Sequence, residues 1–359
     1  MAAAVSSGNV SHFALAGAHN FAAMSAAQPI HIATVNIRYD GNRDNPVPIP
    51  ETGVINPPDS GGDPYREFPW AVRRSRLVDA LLSTGDLDII GFQEVLHNQI
   101  LDLNELLGED WNFVGVGRDD GKEAGEYSPI FYDHTRFEQL NYKSIWLSDH
   151  PDQPGSIGWD AGQTRIATLL TLKDGDGAVH VVNTHYDDRG VQARAQSSLL
   201  IRQAIKEFVN ESESKGAPKN GPVLLFGDFR TRSLTPDSPD NEDGYKNIVS
   251  QNPLPNGKDS FSFLDTFKHV ELRQKGKRGG QSAPYGPLVT WTGFTAPGQT
   301  QTTRIDFIMM GADVGSNVAR GGWKCTQYSV IDNWIEEGDS FGWTGRWSDH
   351  RAVRATISP

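Results

Sequence analysis

The sequence predicts an α/β fold carried by one domain, and three observations lead there. Five short apolar runs each carry a polar residue within them or at one end: Thr34-Val35-Asn36, residues 88–95, Val181-Val182-Asn183-Thr184-His185, Val223-Leu224-Leu225-Phe226-Gly227-Asp228 and Arg304-Ile305-Asp306-Phe307-Ile308. Apolar runs of this length read as buried strands. Early in the chain they alternate with stretches of helical spacing, and neither an internal repeat nor a clean linker divides the 359 residues. If the runs belong to one sandwich, their polar residues converge on one rim.

Residues 1–29 contain no Asp, Glu, Lys or Arg. They lack the basic start and apolar block of a secretory signal, so they read as a disordered or processed lead before a catalytic domain at 30–359. Residues 31–37 open that domain as a strand. Residues 40–69, rich in Pro, Gly and Asp, form a long loop, either substrate-facing or a surface insertion. From Trp70 onward Leu77, Val78, Leu81 and Leu82 share a helical stripe, with Arg73, Arg74 and Arg76 largely off it, up to Gly85. The strand at 88–95 follows, then a helix marked by Leu96, Ile100, Leu103 and Leu107 and closed by Gly108.

Strands are expected at 113–117, 130–132, 144–147, 166–172 and 179–184, the last pair joined by the turn Asp174-Gly175-Asp176-Gly177. Residues 118–127 and Gly158-Trp159-Asp160 read as loops. A helix spans 200–209, where apolar pairs recur every four residues. Residues 231–258 read as loop with room for one short helix, and 273–287 as a basic, Gly-rich loop. Strands at 303–310 and 352–357 close the chain, with Trp343, Trp347, Ser348, Asp349 and His350 in the loop between them.

A formal net charge of −12 argues against a general binder of duplex DNA, whose affinity rests on many Lys and Arg contacts to phosphate. The single Cys325 excludes an intramolecular disulfide and a thiolate zinc cage. No apolar run is long enough to span a bilayer. The sequence leaves the compartment open, favouring the cytoplasm over secretion after removal of a signal.

Asn36, Glu94, Asn183, His185, Asp228, Asp306, Asp349 and His350 all lie at or beside predicted strand ends. Carboxylate and amide oxygens suit Mg²⁺ or Mn²⁺, which bind substrate phosphate. A nearby carboxylate positions or deprotonates water, and histidine contacts phosphate or moves protons. Walker, dinucleotide and zincin motifs are missing, so the set points to metal-assisted hydrolysis of a phosphate ester.

The succession Thr-Val-Asn, Phe-Gln-Glu-Val, Asn-Thr-His, Gly-Asp-Phe, Arg-Ile-Asp-Phe-Ile and Ser-Asp-His resembles the endonuclease/exonuclease/phosphatase superfamily over about residues 30–358. Residues 117–132 and Gly158-Trp159-Asp160 look like its microbial and fungal branch of poorly defined substrates. The resemblance implies a four-layered α/β sandwich, two mixed sheets packed face to face and flanked by helices. It implies Glu94 as principal Mg²⁺ ligand, with Asn36 beside it and Asp349 near the metal. Asp228 would position or deprotonate water, His185 would contact the phosphate, and His350, bonded to Asp306, would face it.

One position departs from the family pattern: Arg230 stands where Asn usually follows Gly-Asp-Phe. Arginine cannot ligate Mg²⁺ but pairs with phosphate, so it either takes over charge stabilisation or impairs turnover. For substrate, Asn183, Arg118, Lys122, Tyr127, Trp159 and Arg165 are the candidates, holding phosphate or stacking a ring. A small phosphorylated molecule or a short single-stranded nucleic acid is the expected partner. The alternatives are a 3′-to-5′ ribonuclease resembling deadenylases and a phosphate-binding protein impaired by Arg230. The sequence leaves oligomeric state open.

Overall fold

A computed structural model of the chain describes residues 27–41, 47–56, 63–231, 242–271, 283–299, 303–336 and 338–359. Among the described residues there are fourteen strands: β1 Ile30–Asn36, β2 Ile89–Gln93, β3 Trp111–Val114, β4 Ile130–Asp133, β5 Phe137–Trp146, β6 Ile166–Asp174, β7 Gly177–His185, β8 Val223–Asp228, β9 Phe261–Asp265, β10 Asp306–Asp313, β11 Lys324–Ile331, β12 Trp334–Ile335, β13 Gly345–Arg346 and β14 Ala352–Ser358. The α-helices are α1 Trp70–Leu82, α2 His97–Leu107, α3 Val191–Ser214 and α4 Glu242–Val249.

One six-stranded sheet has the order β11-β14-β1-β2-β4-β3, the other β5-β6-β7-β8-β10-β9, and β12-β13 form a short ribbon. Ile32, Ile89, Ile130, Leu170, Val181, Leu224, Phe226, Ile308 and Val353 fill the space between the sheets. A second cluster, with Val35, Leu77, Ile100 and Phe131, packs α1 and α2 on the first sheet. A third, with Val182, Ile201, Phe208 and Phe307, packs α3 and α4 on the second. The result is the four-layered α/β sandwich.

The pairs β1/β2 and β7/β8 are parallel, so four strands end at the same mouth. Strands β10 and β14 run against β8 and β1 and begin there. Beneath the mouth the two sheets are locked by amides. Asn183 of β7 donates to the carbonyls of Phe92 (2.8 Å) and Pro129 (2.7 Å), while its oxygen accepts from Gln93 Nε2 at 2.7 Å. Gly91 permits this approach: a Cβ there would lie 2.2 Å from the Phe226 ring. Farther along the second sheet, Arg304 forms a two-pronged pair with Asp265 at 2.6 and 2.8 Å and fixes the start of β10. Burial opposes ionisation of Asp265, yet the charge and hydrogen bonds of Arg304, helped by Tyr245, hold its carboxyl below the ordinary value.

Several expectations shift. The strand expected at 113–117 lies at Trp111–Val114, β5 is longer than expected, and edge strands β9 and β11 were not anticipated. Helix α3 starts at Val191 because Asp160 accepts the N–H groups of Gln192 (3.1 Å) and Ala193 (2.6 Å), a cap supplied from a distant loop. The arginines of α1 are buried. Arg74 donates to Pro48 O, and Arg76 to Ile55 O and Asn56 Oδ1, so the described part of the 40–69 loop lies over α1. Most of the expected lead, residues 1–26, and residues 273–282 of the basic loop fall outside the described residues. No helix among the described residues is long and apolar enough to cross a membrane.

Asn183→Ala removes one partner each from two buried carbonyls and the Gln93 amide; Pro129 O keeps Phe92 N–H and Gln93 keeps Thr34 Oγ1, so the Phe92 carbonyl is the most exposed to the cost of about 1–3 kcal/mol for a buried polar group left unsatisfied. A drop of about 1–3 kcal/mol in unfolding free energy is expected from denaturant titration. Asp265→Ala removes the two-pronged carboxylate partner of the buried Arg304, and breaking a buried ion pair from one side costs about 3–5 kcal/mol. Because the Asp265 carboxyl is held low, that gap should be full at neutral pH and shrink only as pH falls below about 4, read by thermal unfolding at several pH values.

Candidate active site

Six chain segments meet at the mouth. His185, Asp228 and Asp306 are direct neighbours across β7, β8 and β10, so sheet register alone places them side by side. Asn36 ends β1 and donates its Nδ2 to Glu94 Oε1 at 2.9 Å and to Asp228 Oδ2 at 3.2 Å, linking one carboxylate from each sheet. Ser348 donates to Asn36 O at 2.6 Å and accepts from His350 N at 3.2 Å, which brings the loop before β14 over the same point.

Glu94 follows β2 with φ 59° and Arg230 follows β8 with φ 48°, left-handed values that non-glycine residues seldom adopt. Phe92, two residues earlier, faces the helix layer. Strand alternation would send Glu94 the same way, and the left-handed turn redirects it to the mouth, where its side chain is 12% exposed.

Asp228 sits between two histidines, 3.6 Å from His185 Nε2 and 3.7 Å from His350 Nε2. Their environments are opposite. Burial would lower the His350 pKa, yet Asp306, bonded to its Nδ1 at 3.0 Å, together with Asp228 and Asp349, pushes it up to about 10. His185 is driven well below the ordinary value by burial and by the charges of Arg165, Arg230, Arg118 and His350. One imidazole is therefore cationic at neutral pH and the other neutral. Burial raises the Asp228 pKa, with Asp306 adding to the rise and Arg230 opposing it.

The buried Nε2 of His350 has no hydrogen-bond partner among the described residues. A buried donor beside carboxylates fits a site that takes an anion together with a cation. Asp228, Asp306 and His350 bring ligand-type atoms within 4.8 Å of one another. That trio is a poor cation cage, because His350 is held protonated and bonded to Asp306. Glu94 and the partly exposed Asp349 offer oxygens suited to a hard divalent cation.

Not every expected site residue faces the mouth. Asn36 lies at the mouth, where its oxygen accepts Arg38 N at 2.9 Å, which turns its NH₂ toward the carboxylates. Asn183 is corrected from substrate contact to sheet lock, its amide fully engaged. Tyr127 is buried against α2, its hydroxyl donating to Lys122 O, and the Lys122 side chain is exposed. Trp159 lines a separate groove of about 390 Å³ with Leu199, Leu200 and Leu254. Arg118 acts one step back, gripping Glu126 at 2.8 Å. Arg165 pairs with Asp187 and Asp188 and lies 3.2 Å from His185 Nδ1.

Glu126 (3.8 Å from His185 Nδ1), Asp188 and Arg38 are neighbours that sequence reasoning passed over. Glu126 and Asp188 stand among other charged residues and read as solvated loop. Arg38 did have a signal: Asn36-Ile37-Arg38 has the same spacing as Asp228-Phe229-Arg230.

A solved structure of an endonuclease/exonuclease/phosphatase from Bacteroides vulgatus is 29% identical, covering 92% of this chain and 99% of that one with a TM-score of 0.66. A mannosyl-6-phosphatase from Bacteroides thetaiotaomicron shares the fold at 23% identity, 92% and 100% coverage and a TM-score of 0.63. TDP2 from D. rerio, solved with single-strand DNA product, does so at 14% identity, 93% and 100% coverage and a TM-score of 0.53. No curated protein matches the chain in sequence. The sequence model of the Endonuclease/Exonuclease/phosphatase family matches residues 33–350, so the chain belongs to that family of phosphoester hydrolases.

Proposed function

We propose that residues 30–359 form one catalytic unit that hydrolyses phosphate esters with the help of Mg²⁺ or Mn²⁺. The observation that carries this reading is Asp228, buried between a cationic and a neutral histidine and joined through Asn36 to Glu94. Glu94 and Asp349 would hold the cation, with Asn36 orienting Glu94. When bound, the cation supplies Lewis-acid charge for the phosphoryl oxygens and the attacking water.

The chain's own residues do the rest. Asp228, made more basic by burial, positions the water and accepts its proton. His350 aims its free Nε2 at a phosphoryl oxygen while Asp306 fixes the ring and its charge. Neutral His185, set against Arg165, contacts the phosphate from the other side. Two histidines whose pKa values are pushed apart give distinct roles to one residue type. Arg230 lies with its Nη1 3.7 Å from Asp228 Oδ2, where it adds positive charge to the site. That placement favours retained turnover over a binding-only protein.

Chelation should abolish hydrolysis of an activated aryl phosphate ester, Mg²⁺ should restore it, and Glu94→Gln should stay inactive in both; undiminished turnover in chelator would refute metal dependence. Loss of one donor to developing charge typically lowers kcat about 10²- to 10³-fold. His350→Gln should show such a drop, and Asp306→Asn a comparable one, in steady-state kinetics on the same ester. A kcat unchanged in either variant would remove the imidazolium from the reaction.

A further inference from the structure

The two sheets present the same local device on either side of the mouth. After β1, Asn36 Oδ1 accepts the backbone N–H of Arg38 at 2.9 Å, and after β8, Asp228 Oδ1 accepts that of Arg230 at 2.9 Å. Both are turns in which a side-chain oxygen captures the N–H two residues on. The residues between, Ile37 and Phe229, are fully buried anchors. Both arginines adopt left-handed backbone, φ 61° and 48°, a conformation that disfavours a long side chain. Strain of this kind concentrates where a side chain must be aimed.

The guanidinium groups converge. Arg38 Nη1 stands 3.8 Å from Glu94 Oε2, and Arg230 Nη1 stands 3.7 Å from Asp228 Oδ2, distances of attraction without a hydrogen bond. Those carboxylates are the two that Asn36 joins, so the cations flank one set of oxygens from opposite sheets. Among the described residues, the Arg230 guanidinium makes no hydrogen bond, and Arg38 is otherwise held by Glu67, at 41% exposure, at 3.1 and 3.3 Å. The side chains are 30% and 25% exposed, reachable from the mouth.

A phosphodiester offers two non-bridging oxygens and one negative charge, and His350 Nε2 with a cation at Glu94 would use both oxygens. Two further guanidiniums then bring more positive charge than the single charge of a diester balances. A monoester offers three such oxygens and a charge near −2 at neutral pH, which matches the surplus of donors. Resting on the phosphoesterase reading above, we propose that Arg38 and Arg230 form a two-sided clamp on the terminal phosphate of a phosphate monoester.

The test compares p-nitrophenyl phosphate with bis(p-nitrophenyl) phosphate for wild type, Arg38→Gln, Arg230→Gln, Arg230→Asn and both Arg→Lys variants, each checked for unchanged thermal unfolding. Calorimetric titration with inorganic phosphate and Mg²⁺ runs beside it. The wild type should prefer the monoester. Each Gln variant and Arg230→Asn should lose about 10- to 100-fold in kcat/KM on it, as expected for a charged hydrogen bond, and lose clearly less on the diester, with partial recovery in Lys. Phosphate affinity should fall about tenfold or more in each neutral variant. Phosphate affinity that neither substitution alters overturns the clamp. Equal losses on monoester and diester also overturn it, in favour of a nucleic-acid backbone contact. Weakened phosphate binding in a protein whose wild type hydrolyses neither ester keeps the clamp and removes the hydrolase reading instead.

Discussion

The amide seam between the sheets is the constraint on which the rest of the structure depends. A sandwich core of Ile, Val and Leu is non-directional and tolerates sliding of one sheet over the other. Asn183, bonded to Gln93, removes that freedom, because an amide with all its groups engaged in a buried setting has one low-energy position. Gln93 also reaches Thr34 Oγ1 at 2.9 Å, so strands β1, β2, β4 and β7 are tied at one level. Immediately above, Asn36 spans from Glu94 to Asp228. The distance between carboxylates of different sheets is thus set by hydrogen-bond length.

Charge at the mouth is sorted by what each group touches. His350 and His185 both flank Asp228 and are both buried, so burial cannot distinguish them. The difference lies in their second partners. His350 meets the Asp306 carboxylate, whereas His185 meets the Arg165 guanidinium. Arg165 is kept in place by Asp187 and Asp188, and Asp187 also accepts the N–H groups of Gly162, Arg189 and Gly190. The neutral state of one catalytic-type imidazole therefore traces to a loop turn several residues away.

Much of this was legible in the sequence, for identifiable reasons. Strand-end residues on parallel strands must emerge together, so Asn36, Glu94, His185 and Asp228 were readable as a group. Strands β5, β9 and β11 were missed or shortened because all three are sheet edges, and β5 and β11 carry polar residues that weaken the apolar patterning. Asn183 and Asn36 look alike in sequence, but only topology decides which amide points between sheets and which lies at the mouth. The α1 arginines defeated the helical stripe because guanidinium groups are buried readily against carbonyl oxygens once a loop covers them. Trp159 belongs to the same class of error: its neighbour Asp160 caps a helix, a role invisible until the loop meets α3.

Arg73 shows how a buried cation serves the mouth without facing it. Its guanidinium donates to the carbonyls of Phe68, Ile37, Trp347 and Arg38 at 2.8 to 3.3 Å, and among the described residues it hydrogen-bonds no carboxylate. Burial accordingly lowers its pKa to about 10, which still leaves it charged at neutral pH. Two of those carbonyls belong to the turn after Asn36 and one to the residue before Ser348, so one rigid fork holds both loops that frame Glu94 and His350. A flexible ammonium could not satisfy four diverging carbonyls in fixed geometry. The chain as a whole is acidic, yet at this rim arginine is used throughout, because planar donors fix backbone and are available to grip phosphate where a solvated point charge would do neither as well.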